Sequence, residues 1–157
     1  MTDHRYILVI ADSSNEMKIA LDYACARSKK TGRKIIIATF VEPIDVLTTQ
    51  GVSEIMRNEA REEAESRLKE AASFVKNKIG ELPALSLREG ETISELKKLI
   101  DEEKNINVLV LAAKSDENSK DPGPIITSLV TNEITNLRVP IMIVPGNFSE
   151  EYISQIT

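Results

Sequence analysis

Cysteine and histidine are nearly missing from these 157 residues: Cys25 and His4 each stand alone. One cysteine forms no internal disulfide, and one histidine without a cysteine pair makes no metal site. Cys25 falls in an apolar helical pattern, which reads as buried filler rather than a reactive thiol. Tryptophan is absent, and three tyrosines with three phenylalanines leave little surface for stacking bases. A basic excess is lacking as well: 25 acidic against 20 basic residues give a net charge of −5. That excludes a sequence-independent nucleic-acid binder and a protein drawn to an anionic membrane surface. No apolar run approaches the ~20 residues that span a bilayer. The opening Met1-Thr2-Asp3-His4-Arg5 has no apolar signal segment, so the expected location is the cytoplasm.

The length suits one domain, 1–157, able to bury roughly 70% of its unfolded surface. Tyr6-Ile7-Leu8-Val9-Ile10-Ala11 is short, β-branched and continuous, the pattern of a parallel strand covered on both faces. Asp12-Ser13-Ser14-Asn15 suits a turn and a helix N-cap. Met17, Ala20, Leu21, Ala24 and Cys25 then recur at helical spacing ahead of Gly32. A second strand, 34–41, closes at Glu42-Pro43, and residues 44–51 lack a clear period and predict a loop. A long helix over 53–79 carries a stripe from Ile55 and Met56 through Ala64 and Leu68 to Val75 and Ile79. Its charged face offers i,i+4 pairs, Glu63 with Arg67 and Glu65 with Lys69. A weaker strand spans 82–87, entered through Pro83. Thr92 with Glu95 gives a reciprocal capping pattern for the next helix. A strand over 107–113, a polar stretch over 114–124, a helix over 125–136 and a strand over 139–144 complete the chain.

Strands alternating with helices predict an α/β fold: a three-layer sandwich with a five-stranded parallel sheet and right-handed crossovers. Ligands of such sheets bind at the carboxyl ends of the strands, where the strand order switches. A site is therefore expected near residues 12–14, 40–43 and 112–128.

The motifs at these places, taken in order, resemble the universal stress protein family. Asp12 before Ser13-Ser14 stands where that family often has Asp-Gly-Ser. Phe40-Val41-Glu42-Pro43 is similar to its HVxxP strand ending, Arg88-Glu89-Gly90 to its xxG turn, and Val139-Pro140-Ile141 to the opening of its last strand. The resemblance covers almost the whole chain. It implies a flavodoxin-like or adenine nucleotide alpha hydrolase-like sheet, with a flavodoxin-like strand order. It also implies a homodimer paired through the last strand, Val139-Pro140-Ile141-Met142-Ile143-Val144. In nucleotide-binding members the first-strand aspartate and the second-strand backbone hold adenine and ribose. By position these are Asp12, with Ser13 beside it, and Phe40 or Val41, and the ligand implied is ATP or AMP.

Those members also carry G-x-x-G-(x)9-G-[ST] after the fourth strand, where glycines let backbone N–H groups close on phosphates. The matching positions here are Ala112, Ser115 and Thr127-Ser128, with Lys114 among them, and none of the three glycines is present. Gly123 remains, between Pro122 and Pro124, which lack N–H donors. Pro122-Gly123-Pro124 resembles the loop of a subgroup of the family. Asp116, Glu117 and Asp121 repel a phosphate, whereas Lys114 and Lys120 attract one. Two readings of the loop stay open: adenine-nucleotide binding through Lys114, Ser115, Gly123, Thr127 and Ser128, or a structural loop with an altered ligand. Two stay open for Asp12 as well, a cap or turn residue and a ligand contact.

No catalytic residues are expected. Ser13, Ser14, Thr127 and Ser128 offer hydroxyls, but the one histidine is terminal and no G-x-S-x-G elbow appears. The expected function is a non-enzymatic stress-response module that binds an adenine nucleotide. The alternative is a nucleotide-independent dimeric interaction protein that meets a partner protein through the 53–79 helix or the polar loop. An electron-transfer protein of flavodoxin type fits worst, for want of a hydroxyl-rich loop after the first strand and of aromatics to stack a flavin.

Overall fold

The computed structural model describes residues 5–43, 50–116, 118 and 120–157. Most of the predicted 44–51 loop lies outside these residues. Five strands, β1 (Tyr6–Ile10), β2 (Lys34–Val41), β3 (Ala84–Glu89), β4 (Ile106–Ala113) and β5 (Ile141–Pro145), form one sheet. Its order is β3-β2-β1-β4-β5, and each of its four pairings is parallel. The α/β class is as expected. The order is not that of flavodoxin, which would set the third strand beside the first. Here the chain steps outward twice on one side, to β2 and β3, and then returns to lay β4 against the other side of β1. The switch point lies between β1 and β4.

The helices are α1 (Met17–Thr31), α2 (Gln50–Ile79), α3 (Thr92–Glu102), α4 (Pro124–Ser128) and α5 (Glu150–Ile156). Successive strand residues point to opposite faces. Ile7, Val9, Ile35 and Ile37 pack with α1 and α2 through Leu21, Leu68 and Val75. Leu8, Ile10, Ile36 and Ala38 pack on the other face with Leu96 and Ile100 of α3 and Ile126 of α4. The unbroken apolar runs of β1 and β2 follow from this two-sided burial. Cys25 sits in the first of these layers, 2% exposed, and burial pushes its thiol up to about 12. No helix among the described residues is long and apolar enough to cross a membrane.

Several local expectations are corrected. Thr92 is not the cap of α3. Glu91 is, and its carboxylate accepts from the N–H groups of Ile93 (3.2 Å) and Ser94 (2.7 Å). The Thr92 hydroxyl is engaged by Glu42 at the end of β2 (2.9 Å), a contact across 50 residues of sequence. Glu95 pairs with Lys98 (3.0 Å) and Arg88 (3.7 Å) instead of closing a capping box. In α2 the buried stripe begins at Ala64, while Ile55 (59%) and Met56 (39%) are exposed. A 30-residue helix is about 45 Å long, far longer than the strands, so its first turns have no sheet beneath them. Arg57 and Arg61 reach Glu89 on β3 (2.7 and 2.6 Å), and the intrahelical pair is Arg61 with Glu65 (3.5 Å).

The predicted helix over 125–136 is broken up. α4 gives way to a π turn, Leu129–Glu133, and a 3-10 turn, Ile134–Asn136. The last strand opens at Ile141, two residues later than expected, because Pro140 has no N–H to give the ladder. The Pro140 carbonyl still accepts from the Leu109 N–H (3.0 Å), and Val139 is buried ahead of the strand. α5 was not expected at all. Ser149 caps it by accepting from the Tyr152 N–H (3.1 Å), and Ile153 is 1% exposed. Lys78 ties it down, bonding Glu150 and lying 3.5 Å from Asp22 of α1.

One buried polar contact holds β1 to β2 beyond the ladder. Thr39, 1% exposed, donates its hydroxyl to the Ala11 carbonyl (2.8 Å), one residue before Asp12. The same oxygen accepts from the Arg67 guanidinium of α2 (3.2 Å), whose Nε is buried without a partner. Thr39→Val keeps the shape and removes both bonds. It should cost about 1–3 kcal/mol in urea unfolding, with Thr39→Ser costing less than half as much. A neutral Thr39→Val would contradict this account.

The Glu91 cap gives a pH-dependent expectation. The Ser94 N–H, foremost, holds the Glu91 carboxyl below its ordinary 4.5. A lowered folded value means stability that is present above 4.5 and lost as pH falls through the folded value. Glu91→Ala should therefore cost about 1 kcal/mol at neutral pH and much less well below the ordinary carboxylate value. Urea titrations of both proteins at the two pH values check this, and a penalty that persists in acid would contradict it.

Candidate functional site

The switch point opens a cavity of about 470 Å³ between the carboxyl ends of β1 and β4. That volume suits a small organic ligand. Its walls come from 12–17, the end of β4, and the crossover from Pro122 to Ile126. The floor is apolar, with Ile10, Val110 and Leu111, while Asp12, Ser13, Asn15, Glu16 and Lys114 supply polarity. Lys114 is the one lysine or arginine lining it among the described residues.

Asp12 lines this cavity and builds its turn. Its Oδ1 accepts from the Ser14 N–H (2.9 Å) and from the Ser14 hydroxyl (2.5 Å). It is not the cap of α1. The residue there is Glu16, with no side-chain cap bond, and the helix starts only at Met17. Of the other candidates, Ser13, Ala112, Lys114 and Gly123 also line the cavity. Phe40, Val41, Ser115, Thr127 and Ser128 do not. Phe40 packs against the apolar layer under α3 and α4. Val41 is 7% exposed, its carbonyl accepts from the Gly90 N–H (2.9 Å), and it borders a separate hollow of about 440 Å³ with Arg57 and Glu89. Ser115 and Thr127 are exposed, and Ser128 is half-buried.

The polar crossover closes on itself. The Lys114 N–H donates to the Pro122 carbonyl (2.9 Å). The Gly123 N–H donates to Asp121 Oδ1 (3.0 Å), and the Thr127 hydroxyl donates to the same oxygen (3.2 Å). Gly123 has φ +118°, a conformation that an L side chain rarely adopts, so glycine belongs between these two prolines.

Glu16 and the close packing of Gly146 beside it escaped the sequence reading. Glu16 lines the cavity from the start of α1. Gly146, directly after β5, packs so closely that a Cβ would lie 2.1 Å from the Ala113 carbonyl and 2.7 Å from Glu16 Cγ. Glycine there lets the chain after β5 close on the end of β4 and on Glu16. The sequence signal was the glycine directly after an apolar strand.

Comparison with known proteins places this geometry. The chain superposes on the universal stress protein UspA from Lactobacillus plantarum with a TM-score of 0.73 at 14% identity, over 92% of this chain and 99% of that one. It superposes on a universal stress protein in complex with cAMP with a TM-score of 0.63 at 19% identity, over 92% and 99%. For a universal stress protein from Archaeoglobus fulgidus in complex with dAMP the TM-score is 0.60 at 14% identity, over 92% and 99%. These identities speak to the fold alone. No curated protein matches the sequence closely enough to count as a relative. The sequence profile of the universal stress protein family matches residues 4–145, and with a match over most of its length this chain belongs to that family.

Proposed function

We propose that the chain is a non-catalytic, cytoplasmic stress-response module that binds an adenine nucleotide, of the ATP or AMP kind, in the cavity between β1 and β4. The observation that carries this is the cavity itself. It lies at the switch point, has the volume of a small-ligand site and joins an apolar floor to Asp12, Ser13 and Lys114. Family members of the same fold have been described in complex with cAMP and with dAMP, which supports an adenine ligand. Binding rather than catalysis is the reading because one lysine is a sparse set of charges for phosphoryl transfer. Calorimetric titration with adenosine, AMP and ATP tests it. Asp12→Ala should weaken the ligand that binds by roughly tenfold. If no adenine compound gives heat at millimolar concentration, the protein acts through another protein instead and this reading falls.

The module acts as a homodimer joined along β5. That strand has no neighbour on its outer side among the described residues, and Met142 (42%) and Ile143 (39%) lie exposed on it. Val130 (45%) and Ile134 (46%) add exposed apolar surface on the segment leading into it. A second copy, meeting the same edge about a two-fold axis, removes both the unpaired strand edge and the apolar surface from water. Sedimentation velocity should find a dimer that Ile143→Lys converts to a monomer. A wild-type chain that stays monomeric at tens of micromolar would overturn this.

A further inference from the structure

We propose that Glu16 selects the ligand of this cavity by accepting a hydrogen bond from an amino group on its base, while Lys114 meets its phosphate. The inference rests on reading the cavity as an adenine nucleotide site and adds the residue that reads the base.

Glu16 holds the cap position of α1 without serving as a cap. A capping residue has extended backbone, which turns its side chain back onto the N–H groups of the first turn. Glu16 is helical instead, with φ −78° and ψ −11°, and makes no side-chain cap bond. Its main chain is fixed, because its carbonyl accepts from the N–H groups of Ile19 (3.0 Å) and Ala20 (3.2 Å). Its stem is confined as well. A Cβ on Gly146 would lie 2.7 Å from Glu16 Cγ, so the glycine after β5 leaves the room in which this side chain stands. The half-buried residue lines the cavity.

The Glu16 carboxylate has no hydrogen bond or ion pair among the described residues, and neither has the Lys114 ammonium. Two opposite charges thus line one cavity of about 470 Å³ without pairing with each other. An ionised carboxylate only accepts and an ammonium only donates. A ligand that satisfies both brings an N–H donor and an anion, and an aminopurine nucleoside monophosphate carries them at its two ends. Ser13 and Asn15 also line the cavity, but their side chains donate and accept alike and impose no such demand. Asp12 is the other carboxylate there, and its Oδ1 already receives the N–H and the hydroxyl of Ser14 (2.9 and 2.5 Å). A base without the amino group takes water from Glu16 and gives it no partner, which is what makes the residue selective.

The test sets AMP against purine riboside 5′-monophosphate, the same molecule without the amino group, on the full-length chain. Calorimetry of the wild type should show AMP binding at least roughly tenfold more tightly. Glu16→Ala should bring the two within about twofold, and Glu16→Gln, whose amide oxygen still accepts, should keep part of the gap. Asp12→Ala should weaken both ligands and keep the gap. Equal wild-type affinities overturn the proposal and leave the adenine site standing, and so does a gap that Asp12→Ala closes and Glu16→Ala keeps. Amide NMR with CMP supplies a second readout, since its smaller ring carries a similar amino group. If AMP gives no heat while CMP moves the Lys114 signal in the wild type and not in Glu16→Ala, Glu16 keeps its role and the adenine reading is what fails. If neither nucleotide moves that signal, both readings fall.

Discussion

A central parallel strand must bury both of its faces, because its crossovers lay helices above and below it. In this chain β1 carries that constraint furthest. Leu8 and Val9 are fully buried on opposite sides, and the two apolar layers of the protein meet only through the sheet. Everything at the rim is referred to this strand. Its neighbours β2 and β4 leave it in different directions, so the helices that follow them pass over different faces. The space between the ends of β1 and β4 is covered by neither, and a cavity is left where Asp12 emerges. The Thr39 hydroxyl, reaching across to the Ala11 carbonyl, sets where β1 stops and its turn begins.

The same geometry explains why several polar groups of the rim bond one another. The strand ends hand over to loops whose N–H groups need partners. In the first loop Asp12 supplies one, and in the crossover Pro122 and Asp121 supply the others. A glycine-rich crossover would leave such groups for a ligand. The prolines around Gly123 take two donors away and narrow the conformations open to the unfolded chain. The crossover uses these groups for its own order.

How much of this was legible in the sequence depended on how local each cause was. Strands β1, β2 and β4 were plain, because two-sided burial writes itself as an unbroken apolar run. Their order was not, since nothing within a strand states which neighbour it will take, and the flavodoxin-like order was replaced by one with β4 beside β1. The α3 cap slipped from Thr92 to Glu91 because Glu42, distant in sequence, claimed the threonine hydroxyl. Seven-residue α5 has little helical signal of its own and exists through tertiary contacts at Ile153 and Lys78. At the site, Asp12, Ser13, Ala112, Lys114 and Gly123 were drawn together, while Phe40, Val41, Ser115, Thr127 and Ser128 were set apart from the cavity. The separation follows from side-chain alternation and helix phase: being near a strand's carboxyl end does not decide which face a residue serves.

The balance of forces at the cavity follows from these details. The apolar floor of Ile10, Val110 and Leu111 offers a surface on which apolar ligand atoms leave water. The crossover is already tied by its own bonds, so ordering it around any ligand would cost little further freedom. Such a site discriminates by what it turns away. An added negative charge meets Asp12 and Glu16, with Lys114 the one lysine or arginine lining the cavity among the described residues. Asp12 and Glu16 therefore shape the electrostatics of the cavity as directly as Ile10, Val110 and Leu111 shape its apolar floor.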